Sequence, residues 1–153
     1  MIILKGAATE KAATPDQAQR HGMFTSARLS EDGGLTQFGA YLETLEPGSK
    51  SSDRHWHEQE DEFLYMLSGE AIVVENDGEH RLQAGDAACW PAGAPNAHHV
   101  LNRSDAPCAY LIVGTRPTHD VCHYPDSGRT LHTEGDAWRM VDADGQVIRS
   151  GRM

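Results

Sequence analysis

Two histidines and a glutamate lie close together between residues 54 and 62. His55 and His57 are separated by one residue, and Glu62 follows after four more. On a β-strand, side chains alternate between the two faces, which places both imidazoles on the same face. Glu62 opens an apolar run that can return a carboxylate from the adjacent strand, and His98 can add a third nitrogen. Three imidazoles and a carboxylate are suitable ligands for a first-row divalent metal ion.

The same segment also fits an exposed loop with no ligand role. It contains four acidic residues between Glu58 and Glu62, and runs of charged residues are usually solvated. The chain has 9 histidines, and chance alone produces a His-x-His pair about 0.5 times at this frequency. The pair by itself therefore does not establish a metal site.

Short apolar runs separated by turn residues must position these side chains. Strands are predicted at 38–45, 63–67, 71–74, 79–82, 87–90, 98–101 and 109–113, and a hairpin is predicted from 138–141 and 146–148. Asn76-Asp77-Gly78 is typical of a hairpin turn. At least seven short strands without an amphipathic helix between them favour an all-β barrel or jelly roll over a βαβ sheet.

Glycines, a proline and an asparagine surround the candidate ligands in two ordered patterns. The first consists of Gly48, His55, His57, Glu62 and Gly69, and the second of Gly85, Pro91, Gly93, His98 and Asn102. Together these segments resemble the two sequence motifs of the cupin superfamily. The resemblance covers roughly residues 35 to 115.

The spacing departs from the family motifs in two places. Six residues rather than five separate Gly48 from His55, and four rather than two separate Gly93 from His98. The second departure leaves Asn96 where the strict motif has a histidine. Because turns tolerate insertions and His98 keeps its spacing to Asn102, we assign the ligand role to His98, with Asn96 and His99 as alternatives.

The resemblance implies a double-stranded β-helix, or jelly-roll, barrel that is usually homodimeric. It also implies one divalent transition metal ion per chain, either Zn, Fe, Mn or Ni, with His55, His57, Glu62 and His98 as ligands. Such a site leaves coordination positions open to a small molecule. The protein is then an isomerase, lyase or dioxygenase acting on a small polar metabolite, or a non-catalytic binding or sensing protein.

Within one domain of 153 residues we expect three segments. Residues 1–34 form an N-terminal lead-in with a short helix after Thr14-Pro15. Residues 35–115 form the barrel, and residues 116–153 form a C-terminal extension with a hairpin that packs on it.

Other polar and aromatic residues are weaker candidates. Tyr65 and Tyr41 lie on predicted strands and could bind substrate or donate a proton, although aromatic residues in strands are usually core residues. A second group of potential ligands, interpreted as part of a surface loop because its spacings match no zinc pattern, consists of His119, Cys122, His123 and His132.

Charge and cysteine content restrict the partners and the compartment. The formal net charge of -10 disfavours binding to nucleic acid or to anionic membranes. The 3 cysteines do not form a disulfide framework. The chain shows no signal peptide and no apolar run that could span a membrane, so we expect a cytoplasmic protein with a small-molecule ligand.

Overall fold

The protein is described by a computed structural model that covers residues 1–153. It contains fourteen β-strands and two short helices. In chain order the elements are β1 (Glu10–Ala12), α1 (Pro15–His21), β2 (Phe24–Ala27), α2 (Leu29–Asp32), β3 (Phe38–Leu45), β4 (Trp56–His57), β5 (Glu62–Ser68), β6 (Glu70–Glu75), β7 (Gly78–Gln83), β8 (Ala87–Trp90), β9 (His99–Leu101), β10 (Cys108–Thr115), β11 (His119–Tyr124), β12 (Arg129–Glu134), β13 (Ala137–Val141) and β14 (Val147–Arg152).

Three antiparallel sheets make up the fold, and β3 and β5 to β10 supply the residues of the apolar core cluster. Their strand orders are β1-β2-β3-β10-β5-β8, β14-β13-β12-β11-β4 and β7-β6-β9. An isolated backbone bridge between His55 and His98 links the second sheet to the third. The predicted all-β, jelly-roll fold class is confirmed.

Side-chain alternation along β5 determines which residues reach the interior. Leu64 and Met66 are completely buried, whereas Tyr65 between them is 39% exposed. Glu62 is an even number of residues from Leu64, so its side chain points into the barrel as well. Strand alternation therefore directs Glu62 inward and Tyr65 outward.

The apolar cluster between the sheets stabilises the barrel that carries the site. We expect Leu64→Ala to lower the free energy of unfolding by about 2–5 kcal/mol, because a fully buried side chain is removed from this cluster. Val147→Ala should have a much smaller effect, since that side chain is 58% exposed on β14. Urea denaturation of the metal-free proteins measures the free energy of unfolding of both variants. Equal losses of stability would contradict the assignment of Leu64 to the core.

Most of the predicted strands are present within a residue or two of their expected ends. The predicted short helix is also confirmed as α1, where the side chains of Thr14 and Gln17 each bond the other's backbone N–H in a capping box. The predicted surface loop around His119, Cys122, His123 and His132 is wrong. These residues form β11 and β12, which a turn ending at Gly128 joins, with φ of 68° at that glycine.

The two ends of the chain contribute strands to the sheets. Residues 1–34 include β1 and β2, and β2 pairs with β3. Residues 116–153 include β11 to β14, and β11 pairs with β4. The division into lead-in, barrel and extension stays a prediction.

Neither helix has the length and apolar character needed to cross a membrane. The cytoplasmic location and the lack of a nucleic-acid partner stay predictions from the sequence.

Candidate metal centre

Three imidazoles converge on one carboxylate inside the barrel. The Nε2 atom of His98 lies 2.8 Å from Oε2 of Glu62, and the Nε2 atoms of His55 and His57 each lie 4.0 Å from the same oxygen. Ligands bonded to one ion at about 2.0–2.2 Å lie no more than about 4.4 Å apart. Each histidine–Glu62 separation is therefore short enough for two ligands of one ion, and the donors form two overlapping groups, His55 with Glu62 and His98, and His57 with Glu60 and Glu62.

Strand geometry brings the three rings together. His55 and His57 lie on the same side of the chain, with ring centroids 5.2 Å apart. His98 is a backbone bridge partner of His55, and their ring centroids are also 5.2 Å apart. Trp90 stacks on the His98 ring at 3.7 Å and donates from Nε1 to Glu75. Trp90 therefore holds the His98 ring in place.

Hydrogen bonds at Nδ1 leave the Nε2 atoms facing Glu62. The Nδ1 atoms of His55 and His98 donate to the backbone carbonyls of Asp53, at 2.9 Å, and Asn96, at 3.1 Å. A carbonyl oxygen can only accept, so a ring with its proton on Nδ1 can offer the Nε2 lone pair to a metal ion, which at His98 would replace the 2.8 Å hydrogen bond between Nε2 and Glu62. Nδ1 of His57 donates to the carboxylate of Asp120 at 2.6 Å. All three rings are thus oriented as metal ligands usually are.

The electrostatic surroundings favour a cation at this point. Burial lowers the pKa of His55 to about 4, so this ring stays neutral at pH 7, as a ligand must. Burial also lowers the pKa of His57, but the hydrogen bond to Asp120 and the neighbouring Cys122 and Glu62 together outweigh burial and raise the pKa to about 11. The surroundings of His57 therefore stabilise a positive charge. Either a protonated His57 ring or a bound metal ion can supply that charge. The donor set fits a divalent metal ion.

The two alternatives to His98 lie elsewhere. Oδ1 of Asn96 accepts a hydrogen bond from the backbone N–H of Asn76 at 3.0 Å. Nδ1 of His99 lies 3.0 Å from the backbone carbonyl of Ser52. The structure therefore brings His98 to Glu62, while Asn96 contributes the carbonyl that orients the His98 ring.

A cavity of about 690 Å³ opens next to His57 and Glu62. Its lining also includes Glu60, whose pKa burial raises to about 7. The Glu60 carboxylate lies against Gly114, where a Cβ atom would overlap with it. The cavity thus contains a titratable carboxyl group in addition to the candidate ligands.

The two tyrosines singled out from the sequence occupy different environments. Tyr41 lines the cavity, where its hydroxyl donates to Glu31 at 2.9 Å and accepts from Arg116 at 2.5 Å. Tyr65 is on the outer face of β5 and does not line the cavity.

Sequence reasoning did not single out Glu60 or Asp120. Glu60 lies in the loop between β4 and β5, where strand alternation does not predict the direction of a side chain. Asp120 is 63 residues away from His57 and reaches it only because β11 pairs with β4. No local sequence pattern indicates that contact.

Removing the Asp120 carboxylate should weaken metal binding. We expect Asp120→Ala to reduce metal affinity about 10–100-fold, because His57 loses the acceptor that orients its ring. Asp126→Ala is the matched control, since that carboxylate is 66% exposed and pairs with Arg54 outside the site. Chelator competition titrations measure both, and equal affinities for the two variants would contradict the orienting role of Asp120.

The cupin-domain family model matches residues 41–114. The solved structure of a sugar phosphate isomerase from a cupin superfamily, from Silicibacter pomeroyi, is 34% identical with a TM-score of 0.88, and the match covers 97% of each chain.

Two characterised relatives match shorter stretches. The tetracenomycin polyketide synthase protein TcmJ of Streptomyces glaucescens is 31% identical over 110 residues, which is 69% of this chain and 71% of that protein. Oxalate decarboxylase OxdC of Bacillus subtilis is 36% identical over 77 residues, which is 47% of this chain but only 19% of that protein. The barrel fold, the matched family model and the nearly full-length structural similarity show that this chain belongs to the cupin superfamily.

Proposed function

We propose that the protein is a metal-dependent isomerase that moves a proton between adjacent carbon atoms of a small hydroxy-carbonyl compound. The observation that carries this proposal is the position of the Glu60 carboxyl group in the same cavity as His57 and Glu62. The similarity to the Silicibacter pomeroyi isomerase supports the reaction class.

The proposed ligands are His55, His57, Glu62 and His98. Nitrogen and oxygen donors suit Zn(II), Fe(II), Mn(II) or Ni(II). When bound, the ion supplies a Lewis acid that polarises a carbonyl oxygen. The protein contributes the fixed ring orientations, because the partners at Nδ1 keep each Nε2 directed at the same point.

Glu60 is the proposed general base. One of its carboxylate oxygens lies 3.7 Å from Nδ1 of His57, at the edge of the candidate centre. It takes the proton from the carbon beside the carbonyl and returns it to the former carbonyl carbon, while the hydroxyl proton moves to the former carbonyl oxygen. No atom or electron is gained or lost, so the reaction needs no oxidant.

The remaining cavity wall selects for a small polar substrate. Arg116 is the only lysine or arginine in the lining, and its contacts with Glu31 and Tyr41 hold its guanidinium at the wall. A guanidinium in this position can bind a substrate oxygen that carries negative charge. Ile112 and Leu131 supply apolar surface nearby.

Solvent deuterium incorporation tests the proposal directly. The protein, loaded separately with Zn, Fe, Mn and Ni, is incubated in D₂O with a panel of aldoses and ketoses, each with and without a phosphate group. We expect one substrate class to isomerise and to gain deuterium at the carbon beside the carbonyl, as seen by NMR. Ligand-induced thermal stabilisation without exchange or turnover would instead favour the non-catalytic binding alternative.

We further propose that the protein is a homodimer that pairs through the outer face of β5. Phe63, Tyr65 and Leu67 are 38–48% exposed there and form an apolar stripe. We expect sedimentation at twice the chain mass and dissociation of the dimer by Leu67→Lys. Val147→Lys, at an exposed position on β14, is the control that should stay dimeric. A monomeric wild-type protein at micromolar concentration would contradict the proposal.

A further inference from the structure

Cys122 lies beside the candidate metal ligands in the barrel interior. It is 3% exposed and directly opposite His57 in the pairing of β11 with β4. Its Sγ atom and a ring nitrogen from each of His55 and His57 all lie within 4.8 Å of one another. The thiol therefore faces the same space as the imidazoles.

The other two cysteines have different environments. Cys108 is buried in the apolar core cluster, where a reduced cysteine serves as a small apolar side chain. Cys89 is exposed on β8. Among the three, Cys122 alone is grouped with potential metal ligands.

We propose that Cys122 is an additional donor to the metal ion held by the three histidines and Glu62, and that it binds as a thiolate. This inference rests on the proposed metal function of the site. Bonds of about 2.0 Å to nitrogen and about 2.3 Å to sulfur allow nitrogen and sulfur ligands of one ion to lie up to about 4.3 Å apart. The donor atoms of Cys122, His55 and His57 lie within 4.8 Å of one another, a bound slightly wider than that limit. The side chains would therefore draw closer together when the ion binds.

His55 and Tyr124 lie around the Cys122 thiol, and their positions suit a role for the thiol in metal binding. His55 belongs both to the group with Cys122 and His57 and to the group with Glu62 and His98, so the thiol adjoins the candidate ligands through His55 and His57. Tyr124 also faces this space, with its ring centroid 5.7 Å from that of His55. On metal binding the thiol proton leaves to solvent, and the sulfur lone pair forms the new bond.

A sulfur donor changes which metals bind best. Thiolates favour softer divalent ions such as Zn(II) and Co(II), whereas Mn(II) prefers oxygen ligands. We expect Cys122→Ala to reduce Zn(II) affinity about tenfold or more and to reduce Mn(II) affinity less.

Cobalt spectroscopy tests the bond itself. Wild-type protein and the control Cys89→Ala are expected to show a near-ultraviolet sulfur-to-cobalt charge-transfer band after loading with Co(II). Cys122→Ala should lose that band but keep the visible ligand-field bands of bound cobalt. Cys122→Ser, which preserves the shape of the side chain, provides the same test if the alanine variant folds poorly.

The outcomes separate this proposal from the proposed function. Ligand-field bands without a charge-transfer band in the wild-type protein would overturn the role of Cys122 and leave the metal site intact. A charge-transfer band that persists in Cys122→Ala would also overturn it. Lack of any cobalt spectrum in the wild-type protein would contradict the metal site itself, and the Cys122 proposal with it.

Discussion

Glu60→Gln is expected to reduce the isomerisation rate by about 10²–10⁴-fold while the metal content stays unchanged. The substitution preserves the shape of the side chain but removes the group that accepts the proton. The prediction is based on the position of the Glu60 carboxylate in the cavity, beside His57 and Glu62. The measurement is turnover and deuterium exchange by NMR, together with metal analysis of the same samples.

The matched control is Glu58→Gln. That carboxylate is 42% exposed and lies 2.8 Å from Nε2 of His123, and it does not line the cavity. We expect nearly wild-type turnover from this variant. Gly114→Ala offers a second variant, because its methyl group would displace the Glu60 carboxylate and should lower the rate without removing the base. Full activity in Glu60→Gln would contradict its role as the base.

His98→Ala should weaken metal binding by at least about tenfold, because it removes one of the three imidazoles that face Glu62. Chelator competition measures the affinity. The rise in melting temperature on adding metal gives an independent value, since a ligand that binds only the folded state stabilises it. Comparing each variant with and without metal cancels the packing lost when the ring leaves Trp90.

Asn96→Ala is the control for this position. Its side chain accepts a hydrogen bond from Asn76, and the backbone carbonyl that orients His98 survives the substitution. Metal affinity should therefore change little. If Asn96→Ala or His99→Ala abolishes binding while His98→Ala leaves it intact, the ligand in this segment must be reassigned.

Much of the candidate site could be predicted from local periodicity. A strand alternates its faces every residue, so His55 and His57 necessarily share a side wherever the strand lies. The same rule directs Glu62 inward with Leu64 and turns Tyr65 outward, although the sequence reasoning did not apply it to Tyr65. Turn residues such as Asn76-Asp77-Gly78 likewise determine hairpins without information from elsewhere in the chain.

The sequence spacing to Asn102 favoured His98 as the ligand, but the position of the His98 side chain beside Glu62 depends on tertiary structure. Sequence spacing left Asn96 and His99 as alternatives, because an insertion in a loop shifts the count without revealing where the loop ends. The backbone bridge to His55 decides which side chain faces Glu62. This contact depends on pairing between two segments of the chain, at His55 and His98, that are 43 residues apart in the sequence.

By itself, the sequence determined the barrel class, the principal hairpins and the shared face of His55 and His57, because these follow from periodicity and turn chemistry over a few residues. Only the tertiary structure decided that Asp120 orients His57 and that Cys122 lies among the imidazoles. Both residues arrive on β11, whose register against β4 is a long-range pairing. Long-range register depends on how the whole core packs, and no local pattern encodes it.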